Sequence, residues 1–295
     1  MGRLSRDSPG RRLVGIATLI IDSHVHFFPD ADAQAVSSGP RANRLSFETV
    51  ASRARKIGID KIVQVIPYSL GTDVSESFAA AEEHADVILG VIARVDVLAE
   101  DIREKAEDLR KRPQLLGVRI PLIEDWNCGW LGERTLDRFF AVAQDIDLAV
   151  ELFAPFRVLE MHDAVRRFPG IRWLIDHLGL RYYDNGDNRA PFRQWFELLE
   201  LAKEPGVWIK CTYFPEAVKD LEGYPFPQAQ QRFRELCEVS GTERLIWGSN
   251  FPNVRRACSY GQALDFVRAE CSFLGDAQRD GILGANLLRY IGHKE

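Results

Sequence analysis

The sequence predicts a closed (β/α)8 barrel, a TIM barrel, in a single domain, and three observations carry that expectation. Eight apolar, β-branched runs alternate with helical segments at intervals of roughly 25–40 residues, the repeat of parallel strands joined by crossover helices. No Pro-, Gly- or Ser-rich linker divides the 295 residues. No G-x-G-x-x-G follows any strand, which disfavours an open dinucleotide-binding sheet.

The elements can be justified in order. Residues 1–18 read as a flexible N-terminal arm containing Arg and Ser, and 19–295 as the barrel. The apolar run entering Leu19–Phe28 makes the first strand, and polar Pro29–Ser46 a long loop. Phe47–Gly58 is a helix with Ser46 as N-cap and Gly58 as its stop. Lys61–Ser69 and Val87–Asp96 are strands on their β-branched content. Ser75–Ala85 and Ala99–Arg112 are helices, the second closed by Pro113. The alternation continues with strands at Leu115–Ile120, Leu148–Ala154, Arg172–Gly179, Val207–Phe214 and Arg244–Pro252. Helices fall at Glu133–Gln144, Phe156–Phe168, Phe192–Lys203, Gln228–Val239, Tyr260–Phe273 and Gln278–Tyr290.

Composition narrows the function classes. Hydrophobic residues at 46% and charged residues at 27% are ordinary for a soluble globular protein. The net charge of −5 implies no basic face and so no general nucleic-acid binder. Five cysteines (Cys128, Cys211, Cys237, Cys258, Cys271) without a C-x-x-C support neither a zinc knuckle nor a disulfide framework. A reducing, cytoplasmic setting is expected. No apolar run reaches the roughly 18–20 residues of a bilayer span. The expected partner is a small-molecule substrate, with neither nucleic acid nor membrane; a homo-oligomer is left open.

The chemistry gathers around the first strand, IDSHVHFF. Residues two apart on a strand share a face, so His24 and His26 sit side by side, with Cβ atoms about 6–7 Å apart. Such a pair suits a shared metal ion or a proton-transfer pair; the plain alternative is two histidines on a polar strand face. Asp22 would share that face and orient an imidazole. In a barrel, functional groups collect at the C-terminal strand ends. Those ends carry Tyr68, Arg94, Arg119, Glu151, Phe153, Asp176, His177, Lys210, Tyr213, Ser249 and Asn250. So many polar groups where a barrel core would be apolar point to an enzyme.

D-x-H-x-H on the first strand, IDHLG on the sixth and WGSNFP on the eighth resemble the amidohydrolase superfamily. The likeness is to its amidohydrolase-related (family 2) branch, with lactonases similar to 2-pyrone-4,6-dicarboxylate and sugar lactonases, and it spans Leu19 to Tyr290. The resemblance implies that His24 and His26 bind metal or contact the scissile carbonyl, and that His177 polarises that carbonyl or positions water. It implies that Arg119 grips a substrate carboxylate through its bidentate fork; the alternative is a structural ion pair. Tyr68, Lys210 and Tyr213 are candidates for the pocket wall, and Trp126, Trp130 and Leu180–Arg189 for its mouth.

Two departures from the pattern matter. Phe153 falls where the family places a fifth-strand metal ligand, and a phenyl ring cannot ligate. Asn250 replaces the usual eighth-strand Asp, and a carboxamide cannot accept a proton near neutral pH. Three readings of Asn250 stand open: a histidine, or Asp176 through His177, is the base; the chain binds without hydrolysing; or the residue was introduced. No metal is favoured for want of a carboxylate among the histidines; zinc, if present, would sit on His24, His26 and His177. The function expected is hydrolysis of a small lactone or amide bearing carboxylate or hydroxyl groups, catalysed by His24, His26, His177 and Asn250. The alternatives are a metal-dependent decarboxylase of an aromatic or unsaturated acid, and a catalytically impaired binding homologue.

Overall fold

The computed structural model describes residues 19–28, 44–180 and 190–292. Eight parallel strands pair in sequence order: β1 Ile21–Val25, β2 Lys61–Val65, β3 Ile88–Ala93, β4 Leu115–Pro121, β5 Val150–Phe153, β6 Trp173–Ile175, β7 Val207–Cys211 and β8 Leu245–Trp247. The barrel is nearly closed where β8 returns to β1. There Val25 bridges Phe251, and the His26 amide donates to the Phe251 carbonyl at 2.8 Å. The arm expected over 1–18 and most of the Leu180–Arg189 loop lie outside the described residues.

Crossover helices cover the strands: α1 Phe47–Lys56, α2 Ser75–Glu83, α3 Ile102–Arg110, α4 Asp137–Asp145, α5 Val158–Arg167 and α6 Trp195–Leu201. α7 Phe214–Val218 and α8 Pro227–Ser240 follow β7, and α9 Tyr260–Asp265 follows β8. Ser46 caps α1 by accepting from the Thr49 amide, and Gly58, at φ +88°, supplies the left-handed turn that ends it. The β-branched faces of the strands pack outward on these helices, with Ile62, Val91, Val118 and Ile175 fully buried there. Burying each such side chain contributes about 1.5–3 kcal/mol.

The strand interior divides into two layers. Ile21, Val63, Val65, Ile92, Ala149, Leu174 and Ile246 fill the lower part with Leu287 and Tyr290. Above them, towards the C-terminal ends, the interior is polar: His24, Arg119, Glu151 and Lys210 are all buried.

The strands are shorter than the sequence predicts, because apolar runs continue beyond the ladder. The sixth run breaks at Asp176 into a single tight turn, Asp176–Gly179, with His177 and Leu178 at positive φ. The seventh ends at Cys211, and Phe214, expected as its last residue, opens α7 instead. Pairing of β1 with β2 slips between Asp22 and Val25. This bulge overturns the expectation that Asp22 shares a face with His24. The Asp22 carboxylate accepts from the Ser249 amide (2.8 Å), the Ser249 hydroxyl (2.5 Å) and the Tyr260 hydroxyl (2.8 Å). It therefore ties β1 to β8 and α9, and reaches His24 only at the backbone amide, at 3.1 Å.

Candidate active site

β1 delivers two imidazoles that meet directly. His26 is fixed by its Nδ1, 2.7 Å from the Val65 carbonyl, which only the protonated nitrogen can satisfy. Its Nε2 thus carries a lone pair, and it lies 3.2 Å from Nε2 of His24. Nδ1 of His24 stands 3.4 Å from the Lys210 ammonium and 3.3 Å from Asp176 Oδ1. Two proton arrangements satisfy these partners. Either His24 donates through Nε2 to His26 and accepts from Lys210, or it donates to Asp176 and two Nε2 lone pairs face each other across a cation's width.

The β6 turn swings the third imidazole into place. His177 stacks at a tilt on His24, ring centroids 4.6 Å apart, and Phe153 meets its edge at 4.8 Å. Nδ1 of His177 lies 2.6 Å from the Thr212 hydroxyl, and Nε2 lies 3.4 Å from Arg119 Nη2. Arginine only donates, so Nε2 of His177 holds the lone pair. Tyr213, at the β7 end, places its ring 4.9 Å from that of His177.

Beneath the histidines lies a network of four opposite charges. Arg119 and Glu151 are register partners on β4 and β5, with Nε to Oε1 at 3.1 Å. Arg119 also forks onto one oxygen of Asp176, through Nε at 2.8 Å and Nη2 at 2.6 Å. Lys210 pairs with Glu151 and donates to the Ser23 carbonyl at 3.2 Å. Lys210 is fully buried, so it belongs to the floor rather than to the expected pocket wall. Arg119 is engaged in an internal ion pair, the alternative weighed against substrate gripping. Tyr68 sits apart at the rim, half-buried, with the Arg94 guanidinium 4.5 Å over its ring.

Burial sets the protonation states. Desolvation pushes His26 down to about 4 and His177 to about 3, with Arg119 adding to both and Asp176 opposing. His24 is likewise held well below the usual imidazole range by burial. All three imidazoles are neutral at pH 7. Burial would raise Asp176, but His177, Arg119 and His24 outweigh it and hold the carboxyl well below its ordinary range. Burial, with the Asp176 charge, raises Glu151 to about 7.

The expected want of a carboxylate among the histidines is corrected here. Ligand atoms of His24, Asp176 and His177 all lie within 4.8 Å of one another, and among the described residues Asp176 Oδ1 has no firm hydrogen-bond partner, only His24 Nδ1 at 3.3 Å. The 3.2 Å spacing of the His24 and His26 Nε2 atoms also suits two ligands of one tetrahedral ion bound at about 2.0–2.1 Å. These donors fit a divalent cation.

Asn250 follows β8 at φ +59°, a left-handed conformation that Asn tolerates better than most residues. Its Nδ2 donates at 3.0 Å to Glu216 on α7, and its Oδ1 accepts at 3.3 Å from Asn253. Glu216 was not foreseen, since the residues after the seventh strand carry no motif. Trp126 and Trp130, after β4, meet edge to face at 5.2 Å, with Trp126 65% exposed at the rim.

Eight parallel strands with this cluster at their C-terminal ends define a barrel enzyme of the amidohydrolase-related hydrolase type. The chain belongs to the amidohydrolase family, whose model matches residues 21–289. It is 26% identical over 306 residues to an L-fucono-1,5-lactonase of Burkholderia ambifaria, covering 92% of this chain and 95% of that protein. Among solved structures, an amidohydrolase from Burkholderia multivorans with bound zinc superposes with a TM-score of 0.77 at 21% identity, covering 92% of this chain and 99% of that one. A probable 2-pyrone-4,6-dicarboxylic acid hydrolase from Acinetobacter baumannii with citric acid bound gives 0.70 at 21% identity, with the same coverage.

Proposed function

We propose that this protein hydrolyses a small lactone bearing hydroxyl or carboxylate groups. One observation carries the reading: three buried, neutral imidazoles meet beside a buried guanidinium at the C-terminal mouth of the barrel. Acyl transfer needs donors fixed where the carbonyl oxygen gains charge, in a site poor in water. Arg119 supplies that electrophile without the cost of burying a new charge, because Asp176 and Glu151 already balance Arg119 and Lys210. The lactonase of Burkholderia ambifaria supports a cyclic ester as substrate.

The reading asks for no metal. His24, His26, Asp176 and His177 are the residues that would hold one, and a divalent cation there would polarise the same carbonyl.

A panel of sugar-acid lactones, including L-fucono-1,5-lactone, together with 2-pyrone-4,6-dicarboxylate, tests the proposal by proton release. His24→Ala and His177→Ala should each lower kcat about 10²–10⁴-fold, the range for a positioned acid–base group, with unchanged circular dichroism. Full activity in both variants would sink it. Chelation followed by elemental analysis separates the metal arms: turnover should survive metal removal. Loss on chelation that zinc restores assigns the cation to the histidine cluster.

A further inference from the structure

Asn250 leaves the hydrolysis without the eighth-strand carboxylate, yet a carboxylate stands against it. Glu216 lies on α7, one turn beyond Tyr213, whose ring touches His177. It is 3% exposed, and one oxygen, Oε1, accepts from Asn250. The other oxygen, Oε2, is buried and has no hydrogen-bond partner among the described residues. A buried carboxylate oxygen without a partner carries the full penalty of its lost hydration unless something occupies it. Its position at the catalytic end of the barrel makes water the fitting occupant, held with the second N–H of the Asn250 amide. Asn253 accounts for the amide's orientation, since it donates to Asn250 Oδ1 and so turns Nδ2 towards Glu216.

We propose that Glu216 is the proton acceptor for the attacking water, the role of the missing carboxylate moved from β8 to the first helix after β7. The step balances: water oxygen bonds to the lactone carbonyl carbon, and its proton passes to Glu216. The tetrahedral intermediate then collapses, the ring C–O bond breaks, and the leaving alkoxide recovers that proton. The products are a hydroxy acid and the carboxylate form of Glu216. Burial tunes the group for the role: desolvation, opposed by the Asn250 hydrogen bond, raises Glu216 to about 7. Among the described residues, Arg256 and Cys258, both from the segment after β8, are the charged and titratable groups that interact with it.

This inference rests on the lactonase reading, and the test separates the two. With a wild-type substrate from the panel in hand, Glu216→Gln keeps an acceptor for Asn250 but cannot take a proton. We expect kcat to fall about 10²–10³-fold with KM changed less than threefold, and the rising limb of the kcat/KM profile near pH 7 to disappear. Glu216→Asp should restore part of the rate together with that limb. A second measurement needs no variant. The wild-type limb should barely move with temperature, as a carboxyl ionisation does, rather than shift as an imidazole does. A Glu216→Gln enzyme with wild-type kcat and an unchanged profile, or a limb with an imidazole's temperature dependence, overturns the role of Glu216 and leaves the lactonase reading standing. A wild-type chain that hydrolyses no lactone overturns both.

Discussion

Arg119 shows how far a single side chain can be read from its neighbours in sequence. GVRI at a strand end marks it as a site residue, and its fork points to a carboxylate. Which carboxylate was open, because Asp176 and Glu151 are 57 and 32 residues away and only the barrel brings them within 2.6 and 3.1 Å. The same holds for His24, His26 and His177: their strand positions are legible, but their tautomers depend on Val65, Thr212 and Lys210, which no motif announces. Since Arg119 is buried among acids, Arg119→Met should do more than slow turnover. Removing one partner of a buried pair strands the other, at a cost of about 3–5 kcal/mol. Urea unfolding should show that loss. Arg119→Lys should recover only part of it, because an ammonium cannot reproduce the fork. Wild-type stability in Arg119→Met would mean that Asp176 and Glu151 do not depend on this guanidinium.

At the scale of elements, all eight strands and the crossover helices between them, short α7 excepted, were legible from alternation, and their ends were not. Hydrophobic pattern reports burial, and both the strand and the turn after it are buried here. His177 at φ +50° and Asn250 at φ +59° sit in left-handed turns that periodicity cannot register. The β1 bulge escaped for the same reason, and with it the turning of Asp22 towards Ser249 and Tyr260. Gly248, between β8 and that turn, is a point of tight approach beside the site. A Cβ there would meet the Ser23 hydroxyl at 2.7 Å, His24 Cβ at 2.9 Å and Thr212 Cγ2 at 2.9 Å. Gly248→Ala should therefore displace His24 and the Thr212 partner of His177 together. We expect about 1–3 kcal/mol of lost stability and a disproportionate fall in kcat. A thermal melt beside an activity assay checks this, and full activity would show that the strand ends yield without moving the imidazoles.

For the whole molecule, the buried titratable groups pull stability in opposite directions, and pH reveals the balance. His26 and His177 have folded values of about 4 and 3 against 6.5 unfolded, so below pH 6.5 the unfolded chain binds the extra protons. Each then makes stability fall with falling pH, by about 1.4 kcal/mol per unit. Glu151 and Glu216 are raised to about 7 from 4.5, so between these values the folded chain binds the extra protons. Each then makes stability fall with rising pH by the same slope. From pH 4.5 to 6.5 these two pairs cancel. His24, held low in the same way, adds a third slope of the histidine sign. Asp22, raised by burial, opposes it only towards the acid end, so stability should already fall gently as pH drops from 6.5. Below about 4.5 both carboxyls are protonated in either state and drop out, while the histidines continue to titrate. Asp176, held well below 3.8, adds a slope of the same sign as the histidines. Acid should thus unfold this barrel steeply, with two or more protons taken up, starting near pH 4.5. Chemical denaturation from pH 3 to 8 measures the curve directly. In Glu151→Gln the compensation is halved, so the fall between pH 6.5 and 4.5 should steepen; an unchanged slope there would show that Glu151 does not offset the histidines.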